Sequence, residues 1–108
     1  MTGVAELTSS QQVHEAIAGS PHVLVEMWGT HCAPCRSLRP ILERMAGEHD
    51  DWSFNAINVE AIDGIADEFG VRGTPTILLY QDGVEKTRTN GFVMPNDLIE
   101  RMSEAAAR

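Results

Sequence analysis

The chain has 108 residues, 43% of them hydrophobic, enough to bury one core but not two, so a single domain spanning residues 1–108 is expected. Sixteen Asp and Glu stand against eight Lys and Arg, a formal charge of −8. That balance argues against nucleic acid, whose binding needs cations to displace counterions, and against anionic membrane surfaces.

Basic or apolar protein surfaces are the better match for an acidic chain of this kind. Residues 1–7 carry no basic flank and no apolar h-region, so no secretory leader is expected. No apolar run approaches the length of a membrane span. A cytoplasmic, reducing setting follows as the expectation. There, a close cysteine pair serves catalysis or metal binding more often than structure.

Taken in order, the chain opens with capping residues at 8–12. Val13, Ala16 and Ile17 then recur at helical spacing until Gly19-Ser20-Pro21, which predicts a helix over about 9–18. His22 to Trp28 is apolar on both faces except at Glu26, the pattern of a central strand covered by helices. A second helix is predicted from about Pro34 to Gly47, with Leu38, Ile41, Leu42 and Met45 forming its apolar stripe and Pro40 kinking it. Residues 52–59 alternate and read as a second, parallel strand. Ile62, Ile65, Ala66 and Phe69 suggest a short third helix ending at Gly70.

A turn-rich stretch, Val71 to Pro75, leads into a strand over 76–80. Gln81-Asp82-Gly83 is a hairpin signal, and residues 84–89 return antiparallel. Gly91 breaks that strand. Pro95 starts a last helix carrying Leu98, Ile99 and Met102, expected to fray over 105–108. This order gives an α/β fold with a mixed sheet and helices on both faces.

Chemistry concentrates in Trp28-Gly29-Thr30-His31-Cys32-Ala33-Pro34-Cys35, at the junction of the first strong strand with the second helix. A Cys-x-x-Cys pair there suits dithiol–disulfide exchange. Cys32 falls at the helix N-terminus, where unpaired N–H groups and the macrodipole favour a thiolate, and Cys35 lies one turn on. The chain has only these two cysteines, so any internal disulfide joins them. The rival reading is half a zinc site. Zinc wants four ligands, and His14, His22 and His49 are not spaced to join His31, so no metal is expected.

These stretches together resemble the thioredoxin family. Trp28 to Cys35 resembles its active-site stretch, and Arg72-Gly73-Thr74-Pro75-Thr76 its cis-proline loop. Asp82-Gly83 followed by Gly91 resembles its hairpin and closing glycine, and Glu26 stands where the family usually has a buried aspartate. The likeness covers nearly the whole chain in the right order. It implies the thioredoxin fold, a central mixed β-sheet flanked by helices on both faces. It also implies a protein-disulfide reductase and electron carrier with no cofactor, monomeric, recharged by a thioredoxin reductase and acting on disulfide-containing target proteins.

On that resemblance Cys32, expected to be the more exposed of the two, attacks a target disulfide, and Cys35, buried one turn along, resolves the mixed disulfide. Glu26, buried near Cys35, accepts the resolving thiol's proton. The family often sets a lysine beside this carboxylate; the matching position is Ala56, so Glu26 is expected to lack that lysine. Thr74-Pro75 is expected to be cis and to present the Thr74 backbone to a bound peptide. Trp28, His31, Ala33, Pro34, Thr74, Pro75 and Gly91 form the implied docking surface.

Two functions compete with the reductase. One is a higher-potential oxidant or isomerase, and the other is a redox-independent binding subunit on the same fold. Two residues depart from the family pattern, His31 for a tryptophan and Ala33 for a glycine. A protonated His31 adds positive charge beside Cys32 and favours its thiolate. In the reduced protein at pH 6, thiolate absorbance is therefore expected to fall in His31→Ala, and an unchanged absorbance titration refutes the idea.

Overall fold

The computed structural model describes residues 3–107. Met1 and Thr2, at the end read as leader-free, and Arg108, at the end expected to fray, lie outside the described residues. The elements run β1 Ala5–Leu7, α1 Ser10–Gly19, β2 His22–Trp28, α2 Ala33–Glu48, β3 Ser53–Asn58, α3 Ile65–Glu68, β4 Thr76–Gln81, β5 Val84–Asn90 and α4 Pro95–Ala106. The strands form one sheet in the order β1-β3-β2-β4-β5. β1 and β2 run parallel to β3, β4 is antiparallel to β2, and β5 is antiparallel to β4.

β2 is central, as its two-sided apolar pattern predicts. Its residues 23–27 are buried, and alternation sends them to opposite faces. Val23, Val25 and Met27 pack with Val13 and Ile17 of α1, Ile65 of α3, and Ile57, Leu78 and Tyr80. Leu24 points the other way, to Leu38, Leu42 and Met45 of α2 and to Leu98, Met102 and Ala105 of α4. Glu26 shares the parity of Leu24, so the pleat delivers a carboxyl to the α2 side.

The helices start where their capping chemistry allows. Ser9 caps α1, its hydroxyl accepting the Gln12 N–H at 3.1 Å. α2 continues through Pro40, which has no N–H to offer the Arg36 carbonyl. Between β4 and β5 the hairpin turn places Asp82 at φ 52° and Gly83 at φ 83°, the left-handed pair that a two-residue turn requires.

Three expectations need correction. β1 is absent from the sequence reading because three residues are too short to show alternation; it exists because β3 offers it an edge. The third helix shrinks to four residues, Ile65–Glu68, since Gly64 at φ 81° interrupts the stretch before it. The end of α4 is packed rather than frayed: Ala105 is buried in the core, and the Ala106 carbonyl accepts a hydrogen bond from Gln81 at 3.4 Å.

Leu24 is fully buried between α2 and α4. Leu24→Ala is expected to cost about 2–5 kcal/mol of stability through lost transfer energy and the cavity left behind. Urea unfolding followed by far-UV circular dichroism measures it.

Candidate active site

β2 ends at Trp28, and the chain crosses Gly29, Thr30 and His31 to reach Cys32, the N-cap of α2. Cys32 has extended backbone angles, and its sulfur accepts the Cys35 N–H at 3.2 Å while its carbonyl accepts the Arg36 N–H. Pro34 occupies the first turn, where an N–H has no helical partner in any case. Cys32 and Cys35 are joined in a disulfide with Cα atoms 5.3 Å apart. A distinctly more exposed Cys32 is not what the oxidised ring presents. Its side chain folds back over the first turn, and the two residues are 6% and 5% exposed.

The loop before β4 lies against this junction. Thr74-Pro75 is cis, as the resemblance implies. Gly91, at φ 85°, donates its N–H to the Pro75 carbonyl at 2.7 Å. A side chain there would be strained at that φ, so glycine is what lets β5 end beside the loop. The Thr76 hydroxyl donates to the Gly73 carbonyl at 2.7 Å.

Gly29 is where the two loops approach each other. A Cβ built on it would lie 2.5 Å from Glu60 Oε2 and 3.2 Å from Thr74 Oγ1. The segment after β3 is tied to the same turn: the Val59 N–H donates to the Trp28 carbonyl at 2.8 Å, and Asn58 Nδ2 donates to Thr30 Oγ1 at 3.0 Å.

Among the implied docking residues, Thr74, Pro75 and Gly91 are brought together, and the half-buried Trp28 lines a small hollow with Glu26, Cys35, Arg36 and Arg39. Ala33 and Pro34 are exposed at the start of α2. The His31 side chain is 91% exposed, with Nδ1 3.8 Å from Glu60 Oε1.

Glu26 is fully buried, as expected of it. Its neighbours across the strands are Ala56 and Ile77, both fully buried and neither able to hydrogen-bond a carboxyl through its side chain. Ala56 thus supplies no cation, as expected of that position, and one arrives instead from the helix side. Arg39 Nη2 donates to Glu26 Oε1 at 3.3 Å, while Glu26 Oε2 is buried without a partner. The Glu26 carboxyl is raised to about 7: burial pushes it up, the Arg39 guanidinium holds it back through charge and hydrogen bond, and the Glu6 carboxylate adds a smaller upward push.

Sequence reasoning missed Arg39, Glu6 and Glu60. Arg39 had one signal: it lies four residues after Cys35, hence on the same helix face. Glu6 had none, because its strand was not recognised. Glu60 reaches the site through the absent side chain of Gly29, a close approach that spacing does not encode.

Over residues 4–104 the chain matches the family model for thioredoxin. It belongs to the thioredoxin family. It is 32% identical to thioredoxin of Mycoplasma genitalium over 97 residues, 90% of this chain and 95% of that protein. Identity to thioredoxin of Mycoplasmoides gallisepticum is 30%, covering 87% of this chain and 94% of the relative. The structure of Malassezia sympodialis thioredoxin superposes with a TM-score of 0.85 over 97% of this chain and 92% of that one; at 24% identity this speaks for the fold. A thioredoxin with an intact Cys32–Cys35 pair at the N-terminus of α2 is a protein dithiol–disulfide oxidoreductase of the reductase type.

The raised Glu26 carboxyl makes stability depend on pH. In the unfolded chain it loses its proton near the ordinary 4.5, and in the folded protein near 7. Between those values the folded state holds more protons, so the stability Glu26 contributes is complete below about pH 4.5 and is lost as pH rises through 7. The loss amounts to about 3 kcal/mol. Urea unfolding from pH 4.5 to 8 should show this decline in the wild type and lack it in Glu26→Gln.

Proposed function

We propose that Cys32 is the attacking thiol, Cys35 the resolving thiol and Glu26 the acceptor of the Cys35 proton. The observation that carries this reading is the place of the disulfide: Cys32 caps α2, and Cys35 lines the same hollow as Glu26. When the pair is reduced, the unpaired N–H groups and macrodipole at the α2 N-terminus favour a thiolate on Cys32. That thiolate attacks a target disulfide, forming a Cys32–target bond and releasing the target's other sulfur as a thiolate. Cys35 then passes its proton to the Glu26 carboxylate and attacks Cys32 Sγ. The Cys32–Cys35 bond forms, the Cys32–target bond breaks, and its electron pair leaves with the target. The target gains two electrons and the carrier loses two.

The docking surface is assigned to Trp28, His31, Ala33, Pro34, Thr74, Pro75 and Gly91. A target segment lying beside Thr74 pairs its backbone there as an added strand. Gly91, without a side chain, keeps that surface low. The patch is small, suited to the weak and transient encounters that turnover needs. With His31 in place of a tryptophan the surface loses apolar area, so target choice leans more on backbone pairing and charge.

Recharging by a thioredoxin reductase, a monomeric single-domain chain and a cytoplasmic location complete the reading, all by family likeness. No helix among the described residues is long and apolar enough to cross a membrane. The Ala-Pro dipeptide, close to the thioredoxin Gly-Pro type, favours a reducing couple over an oxidant or isomerase.

Three results test the assignment. Cys32→Ser is expected to abolish insulin reduction, and a variant that keeps its cellular role unaided by the thiol would favour the binding-subunit reading. Cys35→Ser is expected to accumulate mixed disulfides with targets, visible on non-reducing gels. The couple, followed by Trp fluorescence in dithiothreitol redox buffers, is expected near the about −270 mV of thioredoxin itself; a value above roughly −200 mV points to an oxidant or isomerase.

A further inference from the structure

Glu6, Ala56, Glu26 and Ile77 stand in register across β1, β3, β2 and β4. Equivalent positions of paired strands share a face of the sheet, so two carboxylates flank one small methyl side chain. Arg39 of α2 spans that gap. Its Nη1 donates to Glu6 Oε1 at 3.2 Å and its Nη2 to Glu26 Oε1 at 3.3 Å. A side chain larger than Ala56 would stand between the two carboxylates, where the guanidinium bridges them.

The guanidinium is fixed from two further directions. It lies over the Trp28 ring, 5.5 Å from the ring centre, and Trp28 Nε1 donates to Glu6 Oε2 at 2.8 Å. Glu6 therefore holds both the ring and the arginine. With Oε1 occupied by Arg39, Glu26 keeps one buried oxygen, Oε2, without a partner. Glu26, Cys35, Trp28 and Arg39 line one hollow of about 190 Å³.

We propose that Arg39 is a positioning residue for resolution of the mixed disulfide: anchored by Glu6 and Trp28, it holds Glu26 through Oε1, keeps Oε2 free for the Cys35 proton, and favours the carboxylate form that accepts it. The assignment rests on the reading of Glu26 as proton acceptor given above. It places on α2 the cation that β3, with Ala56, cannot supply. The charged and titratable groups around Glu26 are Arg39, Arg36 and Cys35 from α2 and Glu6 from β1; β3 and β4 present only Ala56 and Ile77. Among them Arg39 alone both pairs with Glu26 and carries the opposite charge. Its removal leaves a buried carboxyl facing Glu6 with no compensating contact.

The sign of the effect follows. Without the cation Glu26 binds its proton more tightly, so less carboxylate is present at pH 7 to take the proton from Cys35. Resolution slows at neutral pH and recovers at higher pH. Cys32 attack, which needs no proton acceptor, keeps its rate. An opposite charge at this distance shifts a carboxyl by about 1–3 pH units, so a displacement of that order is the expected readout.

The test measures attack and resolution separately by stopped-flow fluorescence with a mixed-disulfide substrate, from pH 5.5 to 9, in wild type, Arg39→Met, Arg39→Lys, Glu26→Gln and Glu26→Gln/Arg39→Met. Site-specific carboxyl ¹³C NMR of the oxidised proteins reports Glu26 directly. Arg39→Met is expected to move both the resolution profile and the Glu26 titration upward by at least about one unit, with resolution at pH 7 at least roughly fivefold slower and attack unchanged. Arg39→Lys, which keeps the charge, should recover part of the shift, and its folding guards against a merely unfolded Met variant. In the Glu26→Gln background Arg39→Met should change neither step. If Glu26→Gln resolves with a wild-type pH profile, the proton-acceptor reading fails, and the Arg39 role with it. If Glu26→Gln alters the profile while Arg39→Met leaves both the profile and the Glu26 titration unmoved, that reading stands and the role of Arg39 alone is overturned.

Discussion

β2 is hydrogen-bonded along six residue pairs to β3 on one side and six to β4 on the other, and the rest of the molecule is arranged by that double pairing. A strand held at both edges cannot slip by one residue without turning its apolar side chains to the wrong layer. Its register is therefore fixed, and so is the height at which Trp28 leaves the sheet. The three residues that follow deliver Cys32 to the first turn of α2, whose apolar stripe of Leu38, Leu42 and Met45 docks the helix on the face that also receives Leu24. The reactive disulfide thus sits at a rigid joint between a locked strand and a packed helix. Dithiol chemistry benefits from such a joint, because two sulfurs held one turn apart need little reorganisation to bond.

The same locking places a carboxyl where solvation is poor. An aliphatic residue at position 26 would complete the core between α2 and the sheet. Glu26 instead carries a burial penalty large enough to bring its proton affinity close to neutrality. The penalty is tolerated because Arg39 reaches it from α2 and because Ala56 is small. Arg39 is only partly buried, and Glu6 and Trp28 hold its outer side. A buried acid with one restrained cation and one free oxygen has its ionisation set by few contacts, which is why a single arginine has leverage over it.

Around the disulfide, the surface is shaped more by missing atoms than by large side chains. Gly29 has no Cβ, so Glu60 and Thr74 close over the turn. Gly91 takes a backbone angle that side chains disfavour and pins β5 to the Pro75 carbonyl. His31 projects almost entirely into water beside Glu60. The rim therefore offers backbone and modest charge rather than a broad apolar platform.

Periodicity and turn chemistry in the amino-acid sequence by themselves determined β2 to β5, α1, α2 and α4, and the Asp82-Gly83 hairpin, because each is encoded by residues close together in the chain. The cysteine pair at a strand-to-helix junction was legible for the same reason, and Glu26 betrayed itself as a lone charge in an apolar strand. Only the tertiary structure decided the rest. β1 exists through the free edge of β3, and the end of α4 is held by Ala105 in the core. The partner of Glu26 comes from a helix thirteen residues along, and its second anchor from a strand twenty residues before, across Ala56. Such contacts join positions that share no local pattern. They arise when sheet register and helix docking bring distant side chains onto one face, so they could not be read before the chain was folded.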